Sequence, residues 1–421
     1  RSFIGLEGGT IAVGDLISDG FDDFLISGED SVGNPTTRMY LNKADTLSTI
    51  QPARIDFIDL GDMGGTLAQL VQSDAAWGDY NNDGSLDLLL SGSDGANGHF
   101  TFLYPNDNQG GFLAPIVLAG LSDGSVDWGD YNNDGWLDIV YTGFNGSRIL
   151  TFVLENDQSG GFIQNGSTLA GALKGNVQFG DFNLDGYQDI ILTGNDGGSE
   201  FDRTTRLYTY DILGQIFEED EVSASPLLDV NEGSIGTWAD INQDGKLDIL
   251  LMGQRSSSPD SGTFKYYENI GDFTPSTPFA PTNLRDTVIG YDVILSWDPP
   301  ANVPASLRDG LSYNIMLGTA NGGTQRQHPK SLTTNGQRQI VARGRVTGST
   351  SYRFYNLPED TYYWRVQAID QDFEGSPFSG NEIVEFTYPL FVDSTSLFAG
   401  INGFSDGTHE FGDFDNDGDL D

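Results

Sequence analysis

Cysteine is absent from the 421-residue chain, and histidine occurs only at His99, His328 and His409. Without thiols there can be no disulfide, no thiolate nucleophile and no cysteine-built zinc site. The three histidines are not spaced as a pair, so imidazole metal sites fall away too. Basic residues are scarce: 20 Lys and Arg stand against 62 Asp and Glu, a formal net charge of −42. Phosphate backbones are held by Lys/Arg patches, so this balance argues against a nucleic-acid partner. No apolar run approaches the roughly 18 residues of a membrane-spanning helix. The sequence opens at Arg1 with neither Met nor a signal-like segment. Any targeting signal is therefore expected outside it, and the chain reads as part of a longer protein.

What the chain has in quantity is acid and glycine, the latter 55 times. The acid is spread in short clusters rather than one tail. One reading is a solvated surface. The other is that the clusters await divalent cations, because unneutralised carboxylates repel one another.

The clusters belong to a repeat. It reads WGDYNNDGSLDLLLSG (77–92), WGDYNNDGWLDIVYTG (128–143), FGDFNLDGYQDIILTG (179–194) and WADINQDGKLDILLMG (238–253). A further copy, FGDFDNDGDLD (411–421), is cut by the chain end, and VGDLISDGFDDFLISG (13–28) is weaker. The leading residues Asp15, Asp79, Asp130, Asp181 and Asp240 lie 64, 51, 51 and 59 residues apart. Each copy ends one strand at an aromatic-Gly-Asp step, turns through an Asp/Asn/Gly loop, and enters a short apolar run expected to stop at Gly92, Gly143, Gly194 or Gly253. Such runs are strands buried on both faces. A further strand follows (100–104, 149–154, 205–210, 264–268), then a Gly turn with Phe112, Phe162, Phe217 or Phe273. Several short strands per 50–60 residues predict propeller blades that must stack to bury their faces. A β-solenoid is the structural rival, with a usually shorter coil.

The loops align position by position. Position 1 is Asp79, Asp130, Asp181, Asp240 or Asp413; position 3 is Asn81, Asn132, Asn183, Asn242 or Asp415; position 5 is Asp83, Asp134, Asp185, Asp244 or Asp417. Position 6 is always Gly, and position 9 is Asp87, Asp138, Asp189, Asp248 or Asp421. Alternate side chains of a tight turn can converge, and the glycine permits the turn. Position 7 (Ser85, Trp136, Tyr187, Lys246, Asp419) varies freely, as expected if it offers only its carbonyl. Oxygen donors alone suit Ca²⁺ over transition metals, and their number disfavours Mg²⁺. An EF-hand would need Glu at position 12 and flanking helices; here position 12 is Leu90, Tyr141, Leu192 or Leu251. In the weak first copy, Asp15, Asp19 and Asp23 remain but position 3 is Ile17, so that site is expected to be empty or weak.

On these residues the sequence resembles the VCBS/FG-GAP repeat family, related to the calcium-binding blades of integrin α-subunits. The resemblance covers about residues 1–275 and 388–421. It implies a propeller, often seven-bladed, with Ca²⁺ between strands, in extracellular or cell-envelope proteins.

Between Asp240 and Asp413 the step is 173 residues, about 110 more than a blade requires. The extra stretch follows a Pro/Thr-rich linker (274–281) and has no calcium loop. Its segments DVILSWDPP (292–300), SYNIMLGT (312–319) and LPEDTYYWRVQAID (357–370) resemble a fibronectin type III sandwich, with Trp297 buried and Tyr362 forming the tyrosine corner. The expected organisation is all-β: FG-GAP/VCBS β-propeller blades over 1–275, a fibronectin type III-like β-sandwich over 279–388, and a further blade begun at 389–421. The insert either projects from between blades or separates two propellers, and projection is the expectation because the material on both sides sums to roughly one blade length.

The function expected is a secreted or cell-surface adhesion module whose Ca²⁺ is structural and whose ligand is a glycan or surface protein. A propeller-type polysaccharide lyase or hydrolase is the catalytic alternative. The conspicuous carboxylates are already used as metal ligands, however, and no nucleophile elbow or phosphate-cradling loop is evident. A stalk within a large surface protein is the architectural one.

Overall fold

A computed structural model describes residues 3–44, 55–197, 204–231, 233–254, 262–355 and 357–387. The fold is all-β: the described residues form seven antiparallel sheets, and their helical content is one turn, α1 (Glu221–Ala224), and a short 3-10 turn at Ala305–Leu307.

The first five sheets are consecutive meanders that follow the repeat. They comprise β1 (Glu7–Gly14), β2 (Asp23–Glu29), β3 (Pro35–Ala44) and β4 (Ile55–Gly61); then β5 (Val71–Gly78), β6 (Asp87–Ser93), β7 (His99–Tyr104) and β8 (Ile116–Val117). Next come β9 (Ser122–Gly129), β10 (Asp138–Phe144), β11 (Ile149–Asn156) and β12 (Phe162–Gln164), followed by β13 (Leu173–Gly180), β14 (Asp189–Asn195), β15 (Thr204–Asp211) and β16 (Ile216–Glu219). The fifth sheet has β17 (Ile235–Ala239), β18 (Asp248–Gln254) and β19 (Gly262–Tyr267). The first strands pack side by side: β1 on β5, β5 on β9, β9 on β13 and β13 on β17. Among the described residues no strand pairing joins the fifth sheet back to the first.

The apolar cores lie between sheets. Leu89 of β6 shares a cluster with Val126 and Trp128 of β9 and Ile139 of β10. Every residue of β6 and β14 is buried, as an apolar run with two covered faces requires. The glycines expected to end these strands do not. Gly92, Gly143, Gly194 and Gly253 lie inside β6, β10, β14 and β18. At Gly92 a Cβ would stand 2.9 Å from the Val71 carbonyl oxygen and 3.0 Å from Cβ of Leu70 and Ser73. The glycine there admits the irregular register of β5 between Val71 and Asp74 and lets the strand continue.

The aromatic-Gly step has a packing role. The Trp77 ring lies on Gly14 of the preceding sheet, Trp128 on Gly78, Phe179 on Gly129 and Trp238 on Gly180. A methyl group added to Gly14 or Gly180 would stand 2.6 or 2.7 Å from the tryptophan ring. Each repeat thus supplies a ring to the sheet before it and a bare backbone to the sheet after it. The array departs from this rule at its ends, with Val13 in place of the ring and Ala239 in place of the glycine.

The insert forms two facing sheets. One is ordered β20 (Thr282–Ile289), β21 (Asp292–Asp298), β24 (Ser351–Phe354); the other is β23 (Val346–Thr347), β22 (Ser312–Gly318), β25 (Asp360–Ile369), β26 (Glu382–Phe386). Between them lie Trp297, Trp364, Tyr313, Tyr362, Val366 and Phe354. The Tyr362 hydroxyl donates to the Pro358 carbonyl at 2.7 Å, the expected tyrosine corner. The sandwich does not stand clear of the sheets as expected. Ile369 and Phe373 join the core of the fourth and fifth sheets, and Gln371 Nε2 donates to Asn133 Oδ1 at 2.6 Å.

Candidate metal centre

Four repeat loops connect the first and second strands of sheets two to five and share one construction. The position 1 carboxylate accepts from the backbone N–H groups of positions 5 and 6: Asp79 from Asp83 (3.0 Å) and Gly84 (2.9 Å), Asp130 from Asp134 and Gly135 (3.0 Å each). Asp181 and Asp240 do the same. The position 3 amides Asn81, Asn132, Asn183 and Asn242 accept from the same position 5 N–H. Asp83, Asp134, Asp185 and Asp244 in turn accept from the N–H of Ser85, Trp136, Tyr187 and Lys246. Position 4 is left-handed in all four loops, at Asn82, Asn133, Leu184 and Gln243, with φ between 56° and 60°. Asparagine tolerates this conformation, and it earns a second use: Asn82 Nδ2 donates to the Gly135 carbonyl at 2.9 Å, and Asn133 Nδ2 to Gly186 at 2.7 Å. These two loops are so tied to the next.

Position 9 does more than the sequence spacing suggested. Asp87 accepts from Tyr80 N–H (3.0 Å) and Asn106 N–H (2.8 Å), Asp138 from Tyr131 (3.3 Å) and Asn156 (2.9 Å). Asp248 accepts from Ile241, Asn269 and the Tyr266 hydroxyl. It therefore clamps the loop entrance to the end of the third strand. Three asparagines at that strand end, missed in the sequence reading, reach the preceding sheet. Asn106, Asn156 and Asn269 donate at 2.8 Å to the carbonyls of Leu16, Tyr80 and Phe182. The recurrent Asn before the Gly turn, in PNDNQGG, ENDQSGG and ENIGD, was the available signal.

Burial makes these carboxylates hard to ionise alone. It raises Asp79 to about 7, with Asp83 adding repulsion, and Asp87 to about 8, with Asp79 adding repulsion. Burial also pushes Asp130 to about 7, against the attraction of Arg343, and lifts Asp138, Asp181 and Asp189 well above the carboxylate range. The loop acids reinforce one another in each case. Among the described residues no three Asp, Glu or His side chains converge as a metal-holding group; the loop oxygens are turned onto backbone N–H groups. The donors nevertheless fit a hard cation in kind. They are oxygens only, buried and mutually repelling, and Asp189 Oδ2 is buried with no hydrogen-bond partner. The expected ligands Asp413, Asp415, Asp417, Asp419 and Asp421 lie outside the described residues.

The first loop keeps the Asp15 turn, accepting from Asp19 and Gly20 N–H, and Asp23 keeps the clamp on Leu16 and Asn42. Its Asp15 meets the Arg345 guanidinium from the sandwich.

An FG-GAP-like repeat family model matches residues 79–141, 130–192 and 181–251, under half the chain. The three matches begin at Asp79, Asp130 and Asp181, so each starts at one loop and runs through the whole of the next. No curated protein matches. Among solved structures, the solution structure of a human fibronectin type III domain is 17% identical over 34% of this chain and 99% of its own, with a TM-score of 0.19.

Proposed function

We propose that the five sheets are blades of a β-propeller, that its loops hold structural Ca²⁺, and that the chain is an extracellular adhesion or ligand-binding module. The observation that carries this reading is the repeated set of buried, mutually repelling acids at positions 1 and 9 within the FG-GAP-like matches. Repeats of this kind are typical of extracellular adhesion-type β-rich proteins. They and fibronectin type III-like domains are typically non-catalytic, which favours binding over a lyase or hydrolase. The side-by-side first strands support blades around an axis. No helix among the described residues is long and apolar enough to cross a membrane.

In this reading Asp79, Asn81, Asp83 and Asp87, and their equivalents at 130–138, 181–189 and 240–248, would hold the ion. A bound ion supplies the positive charge that lets the buried acids ionise together. The chain's own part is to orient the donors: positions 5 and 6 fix Asp79 through their N–H groups, and position 9 ties the loop to the third strand. Each loop saturated at a hundredfold its Kd adds about 2.7 kcal/mol of stability.

Millimolar Ca²⁺ should raise the melting temperature by many degrees, and Mg²⁺ by much less. An EDTA-treated chain that melts like the calcium-loaded one would overturn the calcium reading. The ligand, glycan or surface protein, is addressed by a binding screen of the calcium-loaded chain.

A further inference from the structure

In a chain so short of base, five of the 20 Lys and Arg lie within one stretch, at Arg326, Lys330, Arg338, Arg343 and Arg345. This stretch links β22 to β23 and turns toward the five sheets. With Trp77, Trp128, Phe179 and Trp238 from the first strands, it lines an open cavity of about 400 Å³. Its basic residues make specific contacts there. Arg345 pairs with Asp15, and both side chains are buried, at 10% and 0% exposure. Its other amino group donates to Gln327 Oε1 at 3.0 Å, and the guanidinium lies 5.6 Å over the Tyr352 ring. Lys330 Nζ lies 3.1 Å from Asp22 Oδ2 in the same loop of the first sheet. Arg343 Nη2 donates to Gln188 Oε1 of the fourth repeat at 2.6 Å and to Gln371 Oε1 at 3.1 Å, with Asp130, Asp127 and Asp138 as its nearby charges.

The first loop is also the one whose position 3, Ile17, has no donor oxygen. Its buried acid therefore has a protein cation where a metal would be poorly held.

We propose that the 326–345 stretch is an internal cationic strap: Arg345 takes the place of a divalent cation in the first loop, and with Arg343 it latches the sandwich across the sheets over the central cavity. The comparison with a cation rests on the calcium reading; the latch itself does not. A guanidinium suits the position because it stays charged on burial and its planar fork reaches several oxygens at once.

The test is a double-mutant cycle on the full chain in EDTA: parent, Arg345→Met, Asp15→Asn and Arg345→Met/Asp15→Asn. Hydrogen exchange is followed at the amides of Asp19 and Gly20, which the Asp15 carboxylate accepts, and in the 326–345 stretch. Arg345→Met strands a buried charge, so exchange in both places should speed by about tenfold or more. The double variant should recover much of that loss. If Arg345→Met fails to fold, Arg345→Lys and Asp15→Asn carry the same readout, the lysine keeping charge but losing the fork. Exchange unchanged in Arg345→Met, or effects that simply add, would overturn the latch. Calcium stoichiometry separates the two readings. Arg345→Met/Ile17→Asn should bind one more Ca²⁺ per chain than the parent. A parent that binds calcium with no gain in the variant would overturn the exchange of metal for arginine. A parent that binds none would sink the calcium reading, while the cycle still decides the latch.

Discussion

The sandwich and the five-sheet array bury apolar side chains by different rules. In the sandwich, Trp297, Trp364, Tyr313 and Phe354 face one another across two sheets of the same unit. In the array, no sheet owns a core: Leu88 and Leu90 of β6 pack toward the first sheet, and Leu89 toward the third. The sandwich can lose a neighbour and keep its interior, whereas a sheet of the array cannot. The array accordingly carries stitches the sandwich lacks, such as rings seated on glycines, asparagines spanning sheets and acids clamping loop ends. Its loops also repeat the same buried carboxylates at positions 1 and 9, whereas the buried acids of the sandwich unit gather at one turn, Asp370 and Asp372.

The largest effect expected within one unit is Trp364→Ala, at about 4 kcal/mol for the lost side chain and its cavity. Hydrogen exchange should then rise most within 282–386 and less in the first three sheets. An equal rise everywhere would break the contrast and make the chain one cooperative unit. Next comes Gly129→Ala, which forces the Phe179 ring from its place and should cost about 1–3 kcal/mol, with the faster exchange confined to the third and fourth sheets. Thermal melting that does not change would mean the ring has room the packing denies it.

The pH response sharpens the same contrast. Burial raises Asp79 and Asp127 to about 7, and each holds its proton more tightly folded than unfolded. Folded molecules therefore bind more protons between about pH 4 and pH 7, and in EDTA stability should fall as pH rises through that window. Denaturant midpoints that rise with pH in EDTA would contradict these shifts. The smallest change is Tyr362→Phe, expected to remove about 1 kcal/mol by deleting the bond to Pro358, without altering calcium binding.

Much of the local structure was legible in the sequence. The loop spacing predicted the turns, and the apolar runs predicted strands covered on both faces, because both depend on neighbours a few residues away. Tyr362 was legible for the same reason: its acceptor is four residues off. The strand-ending role assigned to Gly92, Gly143 and Gly194 failed because these glycines answer to an irregular register against the neighbouring strand. The bridging asparagines recurred in the sequence, but their acceptors lie 76 to 90 residues away.

The sequence by itself determined the repeat, the chemistry of its loop donors and the presence of a second β unit, since each is written in composition and short spacing. Only the tertiary structure decided where that unit lies and what neutralises Asp15. The partner, Arg345, is 330 residues along the chain, and no local pattern connects them. A buried charge selects its counter-charge by position in space, and that position exists only once the sheets and the sandwich are packed together.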